Sequence, residues 1–126
     1  MQIHLSRWFE WSSRTQLPES AGLYVIAKGD VASVIYVGRT WSAKGIRNRI
    51  RSFHRSATTG RDGHAGGVTY HSTFGADVDD LQIRVHVPRV INPDERILRP
   101  YIEYAERRLI WEHVERHGEL PVCNSE

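Results

Sequence analysis

The sequence predicts an α+β domain in which a small, three-stranded and mostly antiparallel sheet is flanked by helices. Three observations carry that expectation. Two β-prone runs enclose a short glycine-containing connection, an amphipathic helical stretch follows them, and a period-two strand leads into a second helical stretch.

The first run is Gly22-Leu23-Tyr24-Val25-Ile26-Ala27, behind the breaker-rich Leu17-Pro18-Glu19-Ser20. Lys28-Gly29-Asp30 reads as a turn and Val34 to Gly38 as the second run, so the pair forms an antiparallel hairpin. From Gly45 to Ala57 the apolar Ile46, Ile50, Phe53 and Ala57 recur at helical spacing, with Arg47, Arg51, His54 and Arg55 turned away from them. Gly60, Gly63, Gly66, Gly67 and Gly75 mark residues 60–76 as a loop insertion, with a short strand considered over Val68 to Phe74. Leu81, Ile83, Val85 and Val87 alternate with Gln82, Arg84 and His86, which makes a third strand. After a connection over 88–99, a helix beginning near Pro100, a residue suited to the first helical position, runs to Gly118. Pro121 to Asn124 closes the chain, and residues 1–16 form an N-terminal extension.

With 126 residues, 40% hydrophobic and 25% charged, the chain suits a single domain that folds on its own core. No apolar run approaches the roughly 18 residues of a membrane span, and no signal-peptide core interrupts Met1 to Glu10; the expectation is a cytoplasmic protein with no membrane partner. The single Cys123 excludes an internal disulfide and a cysteine-rich zinc site. A homodimer is compatible with the sequence but nothing indicates one. Net charge is only +2, yet residues 1–60 hold nine Lys or Arg against three acids, whereas residues 61–126 hold eight against twelve. Between Arg39 and Arg61 there are seven cations and no acid, the footprint of a polyanion partner unless it is simply a solvated face.

On a helical wheel of the last helix, Leu109 and His113 fall about 20° to either side of Ile102, and Glu106 falls about 40° from Ile102, within the same stripe. A carboxylate in an apolar stripe is costly to bury unless it is paired or bound to a cation. Either it holds a metal ion or it makes an internal salt bridge, for example with an arginine of the first helix. On that first helix Arg49 projects about 60° to one side of the apolar stripe, where its guanidinium can grip a phosphate along the sheet surface. Arg39, Lys44, Arg47, Arg51, His54 and Arg55 suit contacts to a nucleic-acid backbone. Tyr24 and Tyr36 sit at matching places in the two hairpin strands, each beside a glycine, which taken alone is ordinary for strands. His113 and His117 stand at zinc-helix spacing, but a zincin needs its glutamate directly after the first histidine and Glu115 comes two later.

Taken in order, these segments resemble the GIY-YIG nuclease superfamily. Gly22-Leu23-Tyr24 and Tyr36-Val37-Gly38 look like its two signatures. Ile46 to Phe53 resembles the helix of the excision-repair incision nucleases, which identifies Arg49 with the family's catalytic arginine. Glu106-Arg107-Arg108-Leu109-Ile110 resembles its metal-binding Glu-x-x-Leu-Ile helix, and Pro121-Val122-Cys123-Asn124 its terminal Pro-x-x-Asn. The resemblance covers residues 17–124 and departs in details. The second signature has Val37 for isoleucine, Arg39 replaces a common lysine, and His54 lies five residues after Arg49 where members place a histidine four after.

The resemblance implies the GIY-YIG fold and a metal-dependent endonuclease acting on DNA, with RNA as the other candidate. Its catalytic set would be Tyr24, Tyr36, Arg49, Glu106 and Asn124. Glu106 would hold one Mg²⁺ or Mn²⁺, Arg49 would neutralise the phosphate, and Tyr36, in preference to Tyr24, would activate water. Asn124 would brace the site. The 60–76 loop is an addition to the family pattern, and its His64, Thr69, Tyr70, His71 and Ser72 would hold exposed bases and select substrate, unless it is only a tolerated insertion. Two rival classes fit the residues: a non-catalytic nucleic-acid-binding module of the same fold, and a protein whose cationic helix meets an acidic partner.

Overall fold

The computed structural model describes residues 3–89 and 94–125. Four strands build one sheet: β1 (Phe9–Glu10), β2 (Gly22–Lys28), β3 (Val34–Thr40) and β4 (Leu81–His86), in spatial order β1-β4-β2-β3 with antiparallel pairing throughout. The helices are α1 (Gly45–Thr59), α2 (Ala65–Phe74) and α3 (Glu95–His117), and a 3-10 helix covers Trp11–Gln16. The α+β class is as expected, but the sheet has four strands among the described residues, not three. The added strand, β1, pairs Phe9 with Ile83 and Glu10 with Gln82. Two residues are too few to show an alternating pattern, so only the backbone pairing reveals it.

Strand β2 is buried on both faces, which is why it reads as a continuous apolar run. Tyr24 and Ile26 join Ile46, Ile50 and Phe53 of α1 and Tyr70 of α2 in the main core. On the opposite face Leu23 packs with Leu98, Ile102 and Ala105 of α3, and Val25 with Ile110. The sheet therefore lies between α1 and α2 on one side and α3 on the other. Strand β3 forms the sheet edge, and the register shift between Ile26 and Ala27 leaves Ile35 as an extra residue just before Tyr36. A bulge of this kind re-aims the neighbouring side chain.

Residues 60–76, expected as a loop, fold largely as helix α2, and no strand forms over Val68 to Phe74. The glycines misled because they serve packing rather than flexibility. A Cβ on Gly67 would lie 2.7 Å from the Phe53 carbonyl oxygen, and one on Gly66 would lie 2.6 Å from the Tyr36 ring. Missing side chains let α2 lie directly on α1 and on Tyr36, at some entropic cost to the helix. Tyr70 and His64 are fully buried, so the segment is core, not a mobile insertion.

Helix α3 begins at Glu95, five residues before the expected start at Pro100. The Asp94 side chain caps it by accepting from the Arg96 N–H at 2.9 Å. Pro100 lies inside the helix; it and Arg96, whose carbonyl loses a donor there, are both exposed, which limits the penalty. Of the connection expected over 88–99, residues 90–93 lie outside the described residues, as do residues 1 and 2 of the N-terminal extension. The remainder of that extension forms β1 and the 3-10 helix, with Trp11 buried in the main core. Among the described residues no helix is long and apolar enough to cross a membrane.

Candidate functional site

A strand at a sheet edge is the one place where residues from both faces can meet, and a polar cavity of about 380 Å³ runs along β3. Tyr36 and Arg49 reach it from the α1 face, Glu106 from α3, and Asn124 from the C-terminal segment. Arg39, Trp41, Thr69 and Arg107 also line it. Four of the five expected catalytic residues thus line one cavity. The fifth, Tyr24, is completely buried behind it.

The two tyrosines occupy the same sheet face. Tyr24 pairs with Gly38 and Ile26 with Tyr36, and the rings stand 5.9 Å apart. The Tyr24 ring lies across Gly38, where a Cβ would come within 2.3 Å of it. That explains the glycine of the second signature through close approach alone, since its φ is ordinary. Burial pushes the Tyr24 phenol well above its usual range. Tyr36, half-buried, is raised mainly by burial as well, and the Arg49 charge opposes the rise.

Glu106 is only 6% exposed and forms an ion pair with Arg39. The salt-bridge alternative named an arginine of α1; the partner comes from β3, because Arg39 pairs with Leu23, whose side chain faces α3. Arg39 also lies 5.0 Å from the Trp41 ring, and Arg99 lies 4.6 Å from the same ring. Asn124 completes β3 as a short strand would: its Oδ1 accepts from the Val37 N–H and its Nδ2 donates to the Val37 carbonyl, both at 2.9 Å. The Cys123 N–H donates to the Ile35 carbonyl at 2.8 Å. The terminal segment therefore fixes the backbone on both sides of Tyr36.

The cations expected on nucleic acid divide into groups. Arg39 and Arg49 line the cavity, and Lys44, Arg51 and Arg55 are exposed. Arg47 donates to the Leu17 carbonyl at 2.7 Å and pairs with Glu19, which ties down the chain leading into β2. His54 accepts from the Trp11 indole at 3.0 Å, and burial, then Arg14, hold its pKa below the usual range. His54, Arg47 and Arg51 surround a separate depression on the far side of α1.

Residues of the cavity that sequence reasoning left out are Arg107 and Trp41, and Arg107 was visible beside Glu106. Thr69 and His64 were expected as substrate contacts of a loop; Thr69 lines the cavity, whereas His64 is buried behind it. Its Nδ1 accepts from the Gly67 N–H at 3.2 Å, capping α2, and its Nε2 stands 2.7 Å from the Tyr24 hydroxyl. Burial, and then the Arg49 charge, lower its pKa from 6.5 to about 3.

This depression has a consequence for stability. Below pH 6.5 the unfolded chain takes up a proton that folded His64 refuses, so stability is complete above 6.5 and is lost as pH falls toward 3. The wild type is expected to lose about 2 kcal/mol more than His64→Asn between pH 8 and pH 5. Urea unfolding of both proteins at the two pH values checks this; equal losses would mean that His64 titrates normally.

No protein-family model matches the chain, and no curated protein and no solved structure does.

Proposed function

We propose that the chain is a divalent-metal-dependent endonuclease of the GIY-YIG type, hydrolysing phosphodiester bonds in DNA. The observation that supports it most is the meeting of Tyr36, Arg49, Glu106 and Asn124, from four separate segments, at one polar cavity. Such hydrolysis needs a base for water and positive charge around the developing pentacoordinate phosphate. Tyr36, as the phenolate, accepts the proton of the attacking water. Arg49 and Arg107 hold the non-bridging oxygens, with Arg39 joining them when it leaves Glu106. Asn124 keeps the β3 backbone, and so Tyr36, in place. Tyr24 is fully enclosed and cannot touch substrate, which leaves Tyr36 as the reacting tyrosine.

Glu106 is the carboxylate that lines the cavity, and among the described residues no three His, Cys, Asp or Glu side chains cluster as a dedicated metal cage. One carboxylate facing an open polar space suits Mg²⁺ or Mn²⁺, ions that keep several waters of their own. Such an ion, when bound, supplies Lewis-acid stabilisation of the phosphate and leaving oxygen.

Purified protein incubated with labelled single-stranded DNA, duplex DNA and RNA, with Mg²⁺, Mn²⁺ or chelator, tests the reading. Cleavage that needs the metal supports it. The Arg39–Glu106 ion pair favours a second reading, a nucleic-acid-binding module in which Glu106 serves the fold. Binding without cleavage under every metal condition would establish that one.

The pH dependence follows from Tyr36. Its pKa lies above the usual 10.0 and the reaction uses the deprotonated form. Each unit of pH below that value therefore cuts the reactive fraction about tenfold. The logarithm of the single-turnover rate should rise with a slope of about 1 from pH 6 to pH 9. A plateau reached by pH 7 would exclude Tyr36 as the base.

A further inference from the structure

We propose that a groove between the sheet and the C-terminal half of α3 binds a small organic anion, an apolar body carrying a carboxylate, and that Arg84 of β4 grips the carboxylate. This groove shares no lining residue with the cavity beside β3. The inference therefore stands apart from the nuclease reading.

Strand pairing puts Arg84 on a covered face of the sheet. It pairs with Val25, whose side chain packs with Ile110 of α3, and directly paired residues point to the same side. Arg84 is accordingly half-buried, although the alternation in β4 reads as one face open to water. Its Nε is enclosed without a hydrogen-bond partner. Among the described residues the guanidinium takes part in no hydrogen bond or ion pair, and it lies 4.8 Å from the Trp8 ring. The one acid that lines the groove, Glu112, is bonded to Arg108 at 3.2 Å. Burial lowers the pKa of Arg84, yet an arginine keeps its charge. A half-buried cation without a counter-ion is costly, and an anion brought into the groove removes that cost.

The rest of the groove describes the ligand's other end. Its volume is about 400 Å³, the size of a small-molecule site. Trp8, Val25, Val34 and Leu109 form an apolar wall. Arg116, His113 and His117 add donors at the rim. The two imidazoles stand 4.3 Å apart, but among the described residues no third ligand joins them to make a metal site. A planar guanidinium fork matches the two oxygens of a carboxylate, and the wall matches a flat or branched hydrocarbon. Inorganic phosphate would leave that wall unfilled, and a nucleic-acid backbone, charged at every unit, would set charges against it.

Naphthoate, with naphthylmethanol as its neutral counterpart, tests the assignment on the full chain. Calorimetry is expected to give saturable 1:1 binding of naphthoate, with naphthylmethanol about tenfold weaker or more, the scale of a charge-assisted pair. In ¹⁵N- and methyl-resolved NMR spectra the shifts should gather at Trp8, Val25, Val34 and Leu109 and spare Tyr36 and Glu106. Arg84→Met should weaken naphthoate to the level of the alcohol and leave the alcohol within about twofold. Arg84→Lys, which keeps the charge without the fork, should fall between wild type and Arg84→Met.

Melting temperature separates a ligand-binding arginine from a structural one. Methionine fills similar space beside Trp8 and removes the unpartnered donor, so ligand-free Arg84→Met should melt no lower than wild type. Naphthoate should raise the melting temperature of the wild type and not of this variant. Absence of saturable binding, equal affinity for acid and alcohol, or shifts centred on the cavity beside β3 would overturn the proposal. So would an Arg84→Met protein that melts lower and binds naphthoate as the wild type does.

Discussion

Glu106→Gln is expected to lower metal-dependent cleavage about 10³-fold while leaving fold and DNA affinity nearly unchanged. The size follows from the several kcal/mol of transition-state charge stabilisation that a bound metal contributes, at about 1.36 kcal/mol for each factor of ten. Glutamine keeps the shape and one acceptor for Arg39 but not the charge that holds a divalent ion. Burying a lone carboxylate is costly, but this one is paired with Arg39, so its neutralisation removes a compensated charge. Arg39 remains one-third exposed and stacked near Trp41, free to turn toward water. The change in folding free energy should therefore stay within about 1 kcal/mol. Single-turnover rates at saturating Mn²⁺, fluorescence anisotropy on labelled DNA and urea midpoints check the three parts. Wild-type turnover in this variant would return Glu106 to a purely structural ion pair.

Why the site was partly legible in the sequence can be argued from single residues. Glu106 stood out because a charge in an apolar helical stripe breaks a strong pattern, and the pattern depends only on local periodicity. Its partner did not, because Arg39 meets it through strand pairing and the choice of sheet face, neither of which has a local signature. The hairpin was legible because β2 and β3 are adjacent in sequence and β-rich; β1 was not, since two residues give no period. Segment 60–76 failed for a more instructive reason. Glycine in a helix normally weakens it, so five glycines argue for loop, yet Gly66 and Gly67 are where α2 touches Tyr36 and α1. Tertiary packing overrode propensity, so His64 reads as a loop residue although it is buried, 2.7 Å from the Tyr24 hydroxyl. Replacing residues 62–72 with a flexible linker should therefore cost the fold itself, since Tyr70 and His64 lie in the core.

Arg49→Ala is expected to remove turnover about 10²- to 10³-fold, as loss of a preorganised donor to a developing oxyanion does, while Arg51→Ala should weaken binding and spare chemistry. The two residues are two apart on α1 and so point in nearly opposite directions. Arg49 is half-buried, donates to the Gly63 carbonyl at 3.2 Å and lines the cavity with Tyr36 and Glu106. Its charge also holds down the Tyr36 pKa, so its removal costs twice: the phosphate loses a cation, and less of Tyr36 is ionised at a given pH. The second part is recoverable at high pH and the first is not. The deficit of Arg49→Ala should therefore narrow, without closing, between pH 7 and pH 9. Arg49→Lys should fall between the two, because it restores charge but not the planar fork that grips two oxygens at once. Arg51 is exposed and borders the depression on the far side of α1. Its loss should lower the salt slope of duplex binding by about one unit and leave the single-turnover rate at saturation unchanged. Rates at saturating protein, measured beside binding isotherms at several salt concentrations, separate these effects. An active Arg49→Ala with an inactive Arg51→Ala would place the chemistry on the other side of α1, at the depression bordered by His54, and would remove the cavity beside β3 from consideration.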